Sequence, residues 1–553
     1  MEASIGGAPH DKPAVGRTGD RGETGDPARE DRVTETSSGS PPLDRGQLQH
    51  RAIRGALWTG LHTLVSLPIA FAVNILLARV LGVEGYGRLA YLTTVITLAG
   101  VIAGMGVTTA LIQFGAKDHA AGRVSHVQRY LSGAQGFRLL VSGPLVALAV
   151  VALVKVELWL LVVALVFGVG APALLGNARP ALTIENRTDR TAQLTMIGNL
   201  LTQTAVVVAV LAIGSADSVW SARVIASGVL LALPLLSISR RYRRAVLRPR
   251  GPWTLPRNFW RFAVPTGIAG ILGALTSNRI EVVLLDWFAD PVAMGVFSLA
   301  FGLAGHVYAP AQALVGPLLP AVSGLSEVDR PAVRHAFLRT SRVTSAIGGL
   351  LVACALPALA VLVPLIYGVD FTLARDHVMA LGVASGVTLV GSPHYAFLMA
   401  RLGGRRVLWI SVVTLVVNIG LGLLLIPLIG VWGATICCVA AMLARTVLVS
   451  MGEARALGLS LGDILHNVGG MVVGILVSTL VWLVVRDAEL SPVPVAIGAG
   501  SAAAVAHLLV VRFARVGMSP EDVHAIVRGL PSWIRRPARG ALGLTAHYQR
   551  AGR

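Results

Sequence analysis

Arg279 and Glu281 stand two residues apart inside a stretch, 262–286, that is otherwise largely apolar. A charge near the middle of a hydrocarbon layer costs ~2.5–3.5 kcal/mol even on the lenient insertion scale, so such residues mark pairs, wet cavities or binding sites. Two residues apart is about 200° around a helix, so these ions cannot neutralise each other directly. Each needs a partner from another helix, or water. Asn278 and Glu281 share one face at i, i+3, while Thr276 and Arg279 share another. The next apolar stretch carries His306 and Gln312 in a segment interrupted by Pro310, Pro317 and Pro320. The first carries Asn74, with Arg79 at its end. A lone histidine on an apolar helix is commonly a satisfied core residue, and the prolines are kinks or hinges because each removes a backbone hydrogen bond. Arg138 and Arg223 lie nearer span ends, where a long side chain can snorkel to headgroups. The chemistry open to this set is recognition of a polar or charged solute within a membrane.

Bond-making chemistry is hard to find. A nucleotide-hydrolysing loop needs a lysine after glycine, and none of Lys12, Lys117 and Lys155 follows one. Zinc-protease and serine-hydrolase motifs are missing too. Asp487 and Glu489 form an Asp-x-Glu pair of the kind some membrane glycosyltransferases use with metal and nucleotide; two acids in a short turn are more often a solvated cap. Cys354, Cys437 and Cys438 sit in apolar stretches without ligand or disulfide spacing. The reading is not an enzyme, with no metal or cofactor.

The elements that must position these residues follow from composition. The chain has 553 residues, 54% hydrophobic and only 14% charged, against ~25% charged in an ordinary soluble protein. Mean hydropathy is +0.70. The 61 glycines suit closely packed membrane helices, in which small residues let backbones approach. A net charge of +19 would ordinarily suggest a polyanion. With 6% aromatics and no basic segment interleaved with them, nucleic acid is not expected.

The expected fold is an all-α polytopic membrane protein with about fourteen transmembrane helices. Residues 1–50 are polar, Gly/Pro/Ser-rich and without an apolar run, and read as a disordered tail with no signal peptide. A six-helix bundle spans 51–239 and a basic linker 240–261. A second six-helix bundle spans 262–455, two further helices lie in 456–514, and a basic tail runs from 515 to 553. Only Arg79, Arg88, Lys155, Arg375 and Arg486 fall in the loops of one side, whereas the other side holds most of the 47 basic residues. That asymmetry makes the linker side and both termini cytoplasmic, next to anionic membrane lipids. Gly85, Leu89 and Ala90 near the start of the second span recur in spacing as Gly295, Leu299 and Ala300 in the eighth. An offset of six spans implies a parallel repeat about an axis along the membrane normal. In the tail, Ser519-Pro520-Glu521-Asp522 opens a helix, with Val523, Ile526, Val527, Leu530 and Trp533 on one face. It suits either an interfacial position or packing on its own loops.

The stretch Leu77-Ala78-Arg79-Val80-Leu81-Gly82-Val83-Glu84-Gly85-Tyr86-Gly87 resembles a signature of bacterial polysaccharide flippases. These belong to the multidrug, oligosaccharidyl-lipid and polysaccharide exporter superfamily. Three further stretches agree in order and spacing: Arg279-Ile280-Glu281 followed by Gly295 through Ala300, with Phe297 in place of a tyrosine; Pro364 through Phe371; and Asn418 through Pro427 with Gly430 through Ala434. The resemblance covers roughly 50–455. It implies two six-helix bundles that face a central cavity and rock between inward-open and outward-open states in a bacterial plasma membrane. It also implies a polyprenyl-pyrophosphate-linked oligosaccharide as substrate, moved from inner to outer leaflet, with polysaccharide glycosyltransferases and a polymerase as neighbours. Arginine suits a pyrophosphate, so Arg279 leads the substrate-binding set, with Asn278, Asn74, Arg79, His306 and Gln312. Glu281 would carry a coupling proton or sodium ion. A drug or small-cation extruder of the same fold, or a membrane glycosyltransferase or polymerase, are the alternatives.

Overall fold

The computed structural model describes residues 45–154, 156–277, 279–313, 330–400, 404–488 and 490–529, with 535–536, 539–540 and 543. Asn278, Pro317, Pro320 and Glu489 lie outside the described residues, as does the tail expected at 1–50 except for 45–50, which open the first helix. Leu43–Arg553 forms one compact unit.

That first helix, α1 (Arg45–Gly104), is interrupted at Gly82, whose φ of 66° lies where glycine alone is at ease. The interruption reverses the chain. Asn74 Nδ2 donates to Tyr86 Oη at 2.7 Å, although 12 residues of straight helix would hold them about 18 Å apart. Met105 (φ 42°) and Gly106 (φ 68°) then turn the chain into α2 (Val107–Ala120). Next come α3 (Val124–Leu153), α4 (Leu158–Ile184), α5 (Asp189–Ala212) and α6 (Ala216–Ser237). Both α3 and α4 contain a wider π-helical turn, at Arg138–Ser142 and Ala164–Gly170.

The basic linker folds as a short amphipathic helix, α7 (Arg240–Leu247), which buries Tyr242 and Val246 and exposes Arg240, Arg241 and Arg244. Burial, with Arg241 as a lesser cause, holds the His119 imidazole below its ordinary pKa where it meets Tyr242 Oη at 2.9 Å. Then follow α8 (Arg257–Ser277), α9 (Ile280–Phe288), α10 (Pro291–Ala313), α11 (Arg330–Tyr367), α12 (Ala374–Ala400), α13 (Gly404–Ile429) and α14 (Val431–Ala456). The last two long helices, α15 (Leu461–Val485) and α16 (Pro492–Ala514), pack mainly on α11. The tail helix α17 (Pro520–Gly529) docks on α11 as well. Asp522 closes a capping box with Ser519 and takes Arg339 at 2.9 Å and Arg342 at 3.1 Å, while Met518, Val523 and Val527 bury against Ala346. Its expected apolar partners Leu530 and Trp533 lie outside the described residues.

The architecture is all-α, as expected, but the span count differs. Among the described residues eleven helices are long and apolar enough to cross a membrane, or twelve if α8 and α9, bent by 56°, make one broken span. Two places account for the shortfall against about fourteen. The chain reversal at Gly82 puts two expected spans, 53–77 and 88–112, within α1. The 27-residue α12 is long enough, but His377, Ser385, Ser392 and His394 dilute its apolar content.

Two hydrophobic cores hold the helices together. The larger joins α1 and α6 to α9, α10, α11 and α12. The smaller sits at the linker end, where Phe259 and Ala263 of α8 pack with Leu111, Val127, Leu131, Leu182, Tyr242 and Val246. The repeat-related glycine segments meet face to face. A Cβ on Gly87 would strike the Pro291 carbonyl, and one on Gly295 the Val83 carbonyl. A second glycine contact lies at the other end of the helices, where a Cβ on Gly106 would stand 2.5 Å from Gly267 N.

Gly106→Ala should therefore destabilise the protein by about 2 kcal/mol or more, since it adds left-handed strain to a backbone clash. Gly100, with nothing within 4 Å of a built Cβ, is the control. Gly100→Ala should gain up to about 1 kcal/mol of helix propensity. Melting of the detergent-solubilised protein compares the two.

Candidate functional site

The second half of α1 presents Tyr86, Ala90, Thr93, Thr94 and Thr97 on one face, at helical spacing. These residues line a cavity of about 390 Å³, closed by Asn74 and Leu77 from before the Gly82 turn, Arg223 of α6 and Phe301 of α10. Arg279 enters it from the junction between α8 and α9. Its φ of 58° is left-handed, a conformation that costs an ordinary residue roughly 1–2 kcal/mol. The junction turns the guanidinium away from the helix that follows, over the face of Phe301 at 4.9 Å.

Charge sets the character of this cavity. Among the described residues, no carboxylate lies within ion-pair distance of Arg223 or Arg279, and no Asp or Glu lines the cavity. Glu281 is elsewhere, fully buried between helices, where its Oε1 accepts from Asn418 Nδ2 at 2.7 Å. Its Oε2 and Asn418 Oδ1 have no hydrogen-bond partner. The two side chains of 279–281 thus go different ways, and the cause is the left-handed break at Arg279 rather than the roughly 200° of a continuous helix. Two unpaired guanidiniums beside threonine and tyrosine hydroxyls make an anion-binding surface. Its described lining holds no carboxylate to neutralise a cation.

The other residues singled out from the sequence are scattered. Asn74 lines the cavity. Arg79 lies outside it, in an open cleft of about 550 Å³ with Asp370 and Pro492. There it donates to the carbonyls of Leu365 and, at 2.7 Å, Ile366, at the C-terminal end of α11. His306 Nδ1 meets the Gly302 carbonyl at 2.5 Å within its own helix, with its ring against Phe71. Gln312 sits on α10, its side chain outside the described residues. Arg223 was readable as a snorkelling residue, yet it faces the cavity. The threonine stripe of α1 was missed altogether, although its 3–4 residue spacing is visible in the sequence. Arg138 does not reach for a headgroup: its Nε donates to Asn177 Oδ1 at 2.7 Å and its Nη2 to Thr108 Oγ1 at 2.8 Å.

Residues 52–323 match the family model described as polysaccharide biosynthesis protein. Among solved structures, the fold is similar to the lipid II flippase MurJ in an inward closed conformation, with a TM-score of 0.60 and 12% identity over 82% of this chain and 98% of that one. It is also similar to the inward-facing conformation of a multidrug resistance MATE family transporter of the MOP superfamily, with a TM-score of 0.57 and 13% identity over 73% of this chain and 99% of that one. The outward-facing conformation of such a transporter gives a TM-score of 0.50 at 15% identity, over 75% and 97%. At these identities the likeness is one of fold. No curated protein matches the chain in sequence.

An unpaired guanidinium kept for binding should cost stability. Arg223→Met and Arg279→Met are each expected to raise the melting temperature of the ligand-free protein, by about 1 kcal/mol of stability or more. Arg138→Met, which strips partners from buried Asn177 and from Thr108, should lower it. A drop for the first two would mean that those arginines hold the fold together.

Proposed function

We propose, from the match of residues 52–323 to the family model described as polysaccharide biosynthesis protein, that this chain is a flippase of the multidrug, oligosaccharidyl-lipid and polysaccharide exporter superfamily whose substrate is a polyprenyl-pyrophosphate-linked oligosaccharide. The observation that carries the substrate class is that Arg223 and Arg279 share one cavity with no acid among its described lining residues. A pyrophosphate brings the negative charge this cavity lacks, and guanidiniums bind it through charge-assisted, often bidentate hydrogen bonds. The hydroxyls of Tyr86, Thr93, Thr94 and Thr97 and the amide of Asn74 supply further donors, and acceptors suited to sugar. A lipid flippase is among the proteins of similar fold.

With the arginine-rich linker end cytoplasmic in a bacterial plasma membrane, transport runs from that leaflet to the opposite one. The two glycine contacts, Gly106 with Gly267 and Gly87 with Gly295, lie at the two ends of the path. Alternating access would open either contact while the other stays closed. Glu281 is the candidate for ion coupling. Its carboxyl is buried with one oxygen unused and Asn418 Oδ1 close by, also unused. A proton on Glu281, or a sodium ion held between the two groups, would satisfy both oxygens. Loading that ion favours one arrangement of α9 against α13, which is how an ion gradient would bias the cycle.

Reconstituted vesicles carrying a fluorescent polyprenyl-pyrophosphate disaccharide test this reading. Arg223→Gln and Arg279→Gln should each cut flux about tenfold, the loss of one charge-assisted contact. Glu281→Gln should leave substrate binding intact while flux stops responding to an imposed proton or sodium gradient. Wild-type flux in both arginine variants would sink the substrate assignment.

A further inference from the structure

A second cavity, of about 510 Å³, continues from the first. Tyr86 through Thr97 of α1 line the cavity of the arginine pair, Ile96 through Gly104 line the second, and Thr97 belongs to both. From Tyr86 to Gly104 the helix rises about 27 Å, close to the ~30 Å thickness of a hydrocarbon core. The two cavities are therefore stacked along one helix across most of the membrane. The second has its own cation, Arg138, with the hydroxyls of Thr108, Thr109, Ser142 and Thr266, and no Asp or Glu among its described lining residues.

Arg138 is aimed rather than loose. Asn177 Nδ2 donates to Gln135 Oε1 at 3.1 Å, and Asn177 Oδ1 takes Nε of Arg138. Nη2 goes to Thr108, and no hydrogen bond to protein is found for Nη1 among the described residues. The π-helical turn that starts at Arg138 sets the side chain on the cavity face of α3. Two residues earlier, Gly136 backs against the Arg250 carbonyl, and Arg250 N donates to Ser132 O at 2.9 Å. The pocket thus starts directly above the basic linker. Its opposite wall is glycine: Gly100, Gly104 and Gly270 leave open space where side chains would stand.

We propose that this second cavity is a separate anion-binding station, in which Arg138 and the surrounding hydroxyls take a phosphate or pyrophosphate group on the linker side before Arg223 and Arg279 receive it. The inference rests on the substrate reading above and adds a site to it. One cationic site near the Gly82 end would leave the charged headgroup to cross about half the hydrocarbon with no counter-charge, which is costly for any anion. Two stations that share Thr97 divide that passage into steps, each with a guanidinium in reach.

Phenylglyoxal labelling of arginine in the full-length protein in nanodiscs, read peptide by peptide, follows Arg138, Arg223 and Arg279 separately. Inorganic pyrophosphate, a polyprenyl pyrophosphate and the uncharged polyprenol are the probes. With a pyrophosphate probe at about ten times its Kd, labelling of Arg138 should slow about tenfold. Protection by both pyrophosphates supports a site that reads the anion, and protection by the lipid alone supports the same site with a lipid-borne ligand. Protection by polyprenol, no protection at Arg138, or no labelling of Arg138 without ligand overturns the station. If the Arg223 and Arg279 pair is protected and Arg138 is not, this inference alone fails and the substrate reading stands; if Arg138 is protected and the pair is not, the substrate reading fails and the hand-off from Arg138 fails with it. Because Arg138→Gln endangers folding, Gly100→Leu carries the variant test: it fills open space and leaves the Arg138 hydrogen bonds untouched. It should weaken protection of Arg138 about tenfold or more and spare Arg223 and Arg279. Unchanged protection of Arg138 would overturn the proposal.

Discussion

A guanidinium inside hydrocarbon with no carboxylate beside it is the constraint around which this molecule is arranged. Arg223 and Arg279 face one cavity with no acid among its described lining residues, and Glu281 makes its hydrogen bond to Asn418 rather than to either guanidinium. Such an arrangement persists only if packing elsewhere carries it. The larger core does so, enclosing the cavity with α1 and α6 on one side and α9 and α10 on the other. With two guanidiniums and no acid in its described lining, the cavity is left net positive.

Breaks in the helices follow the same logic. Irregular backbone at membrane depth is tolerated where protein covers it or where it lines a wet space. The left-handed Arg279 stands at the cavity, and the turn at Met105 and Gly106 lies under Gly267 of α8. The π-helical turn at Arg138 borders the second cavity. None of these breaks is a proline kink, so proline positions alone are a poor guide to where the path runs.

Much of this was legible in the sequence, and the rest was not for definable reasons. Apolar runs of helix length located nearly every long helix, because hydrocarbon thickness sets a length that composition reveals. Arg279 and Glu281 were read as unable to pair on one continuous helix, whereas the structure separates them by a left-handed break that the apolar pattern did not reveal. The sequence did not show which neighbour each would meet. Asn418 is 137 residues from Glu281, and no local pattern joins them. Arg138 and Arg223 were read as snorkelling because depth along a span is visible in a sequence, whereas rotation of the helix toward a cavity is not. The threonine stripe of α1 has helical spacing, but threonine is common in membrane helices. Only the cavity gives the stripe a meaning. The tail helix was recognisable from its cap, and its docking depended on Arg339 and Arg342, far away in the chain.

Arg79 carries a consequence of a different kind. Its guanidinium is the acceptor-quenching cap of α11, donating to the last carbonyls of a helix 38 residues long. Those carbonyls also carry the negative end of the helix dipole. Any motion that draws the Gly82 end of α1 away from α11 exchanges Arg79 for water at those carbonyls, since Arg79 already stands at an open cleft. Separating α1 from α11 there therefore costs the charge-assisted cap of one helix, less what water restores.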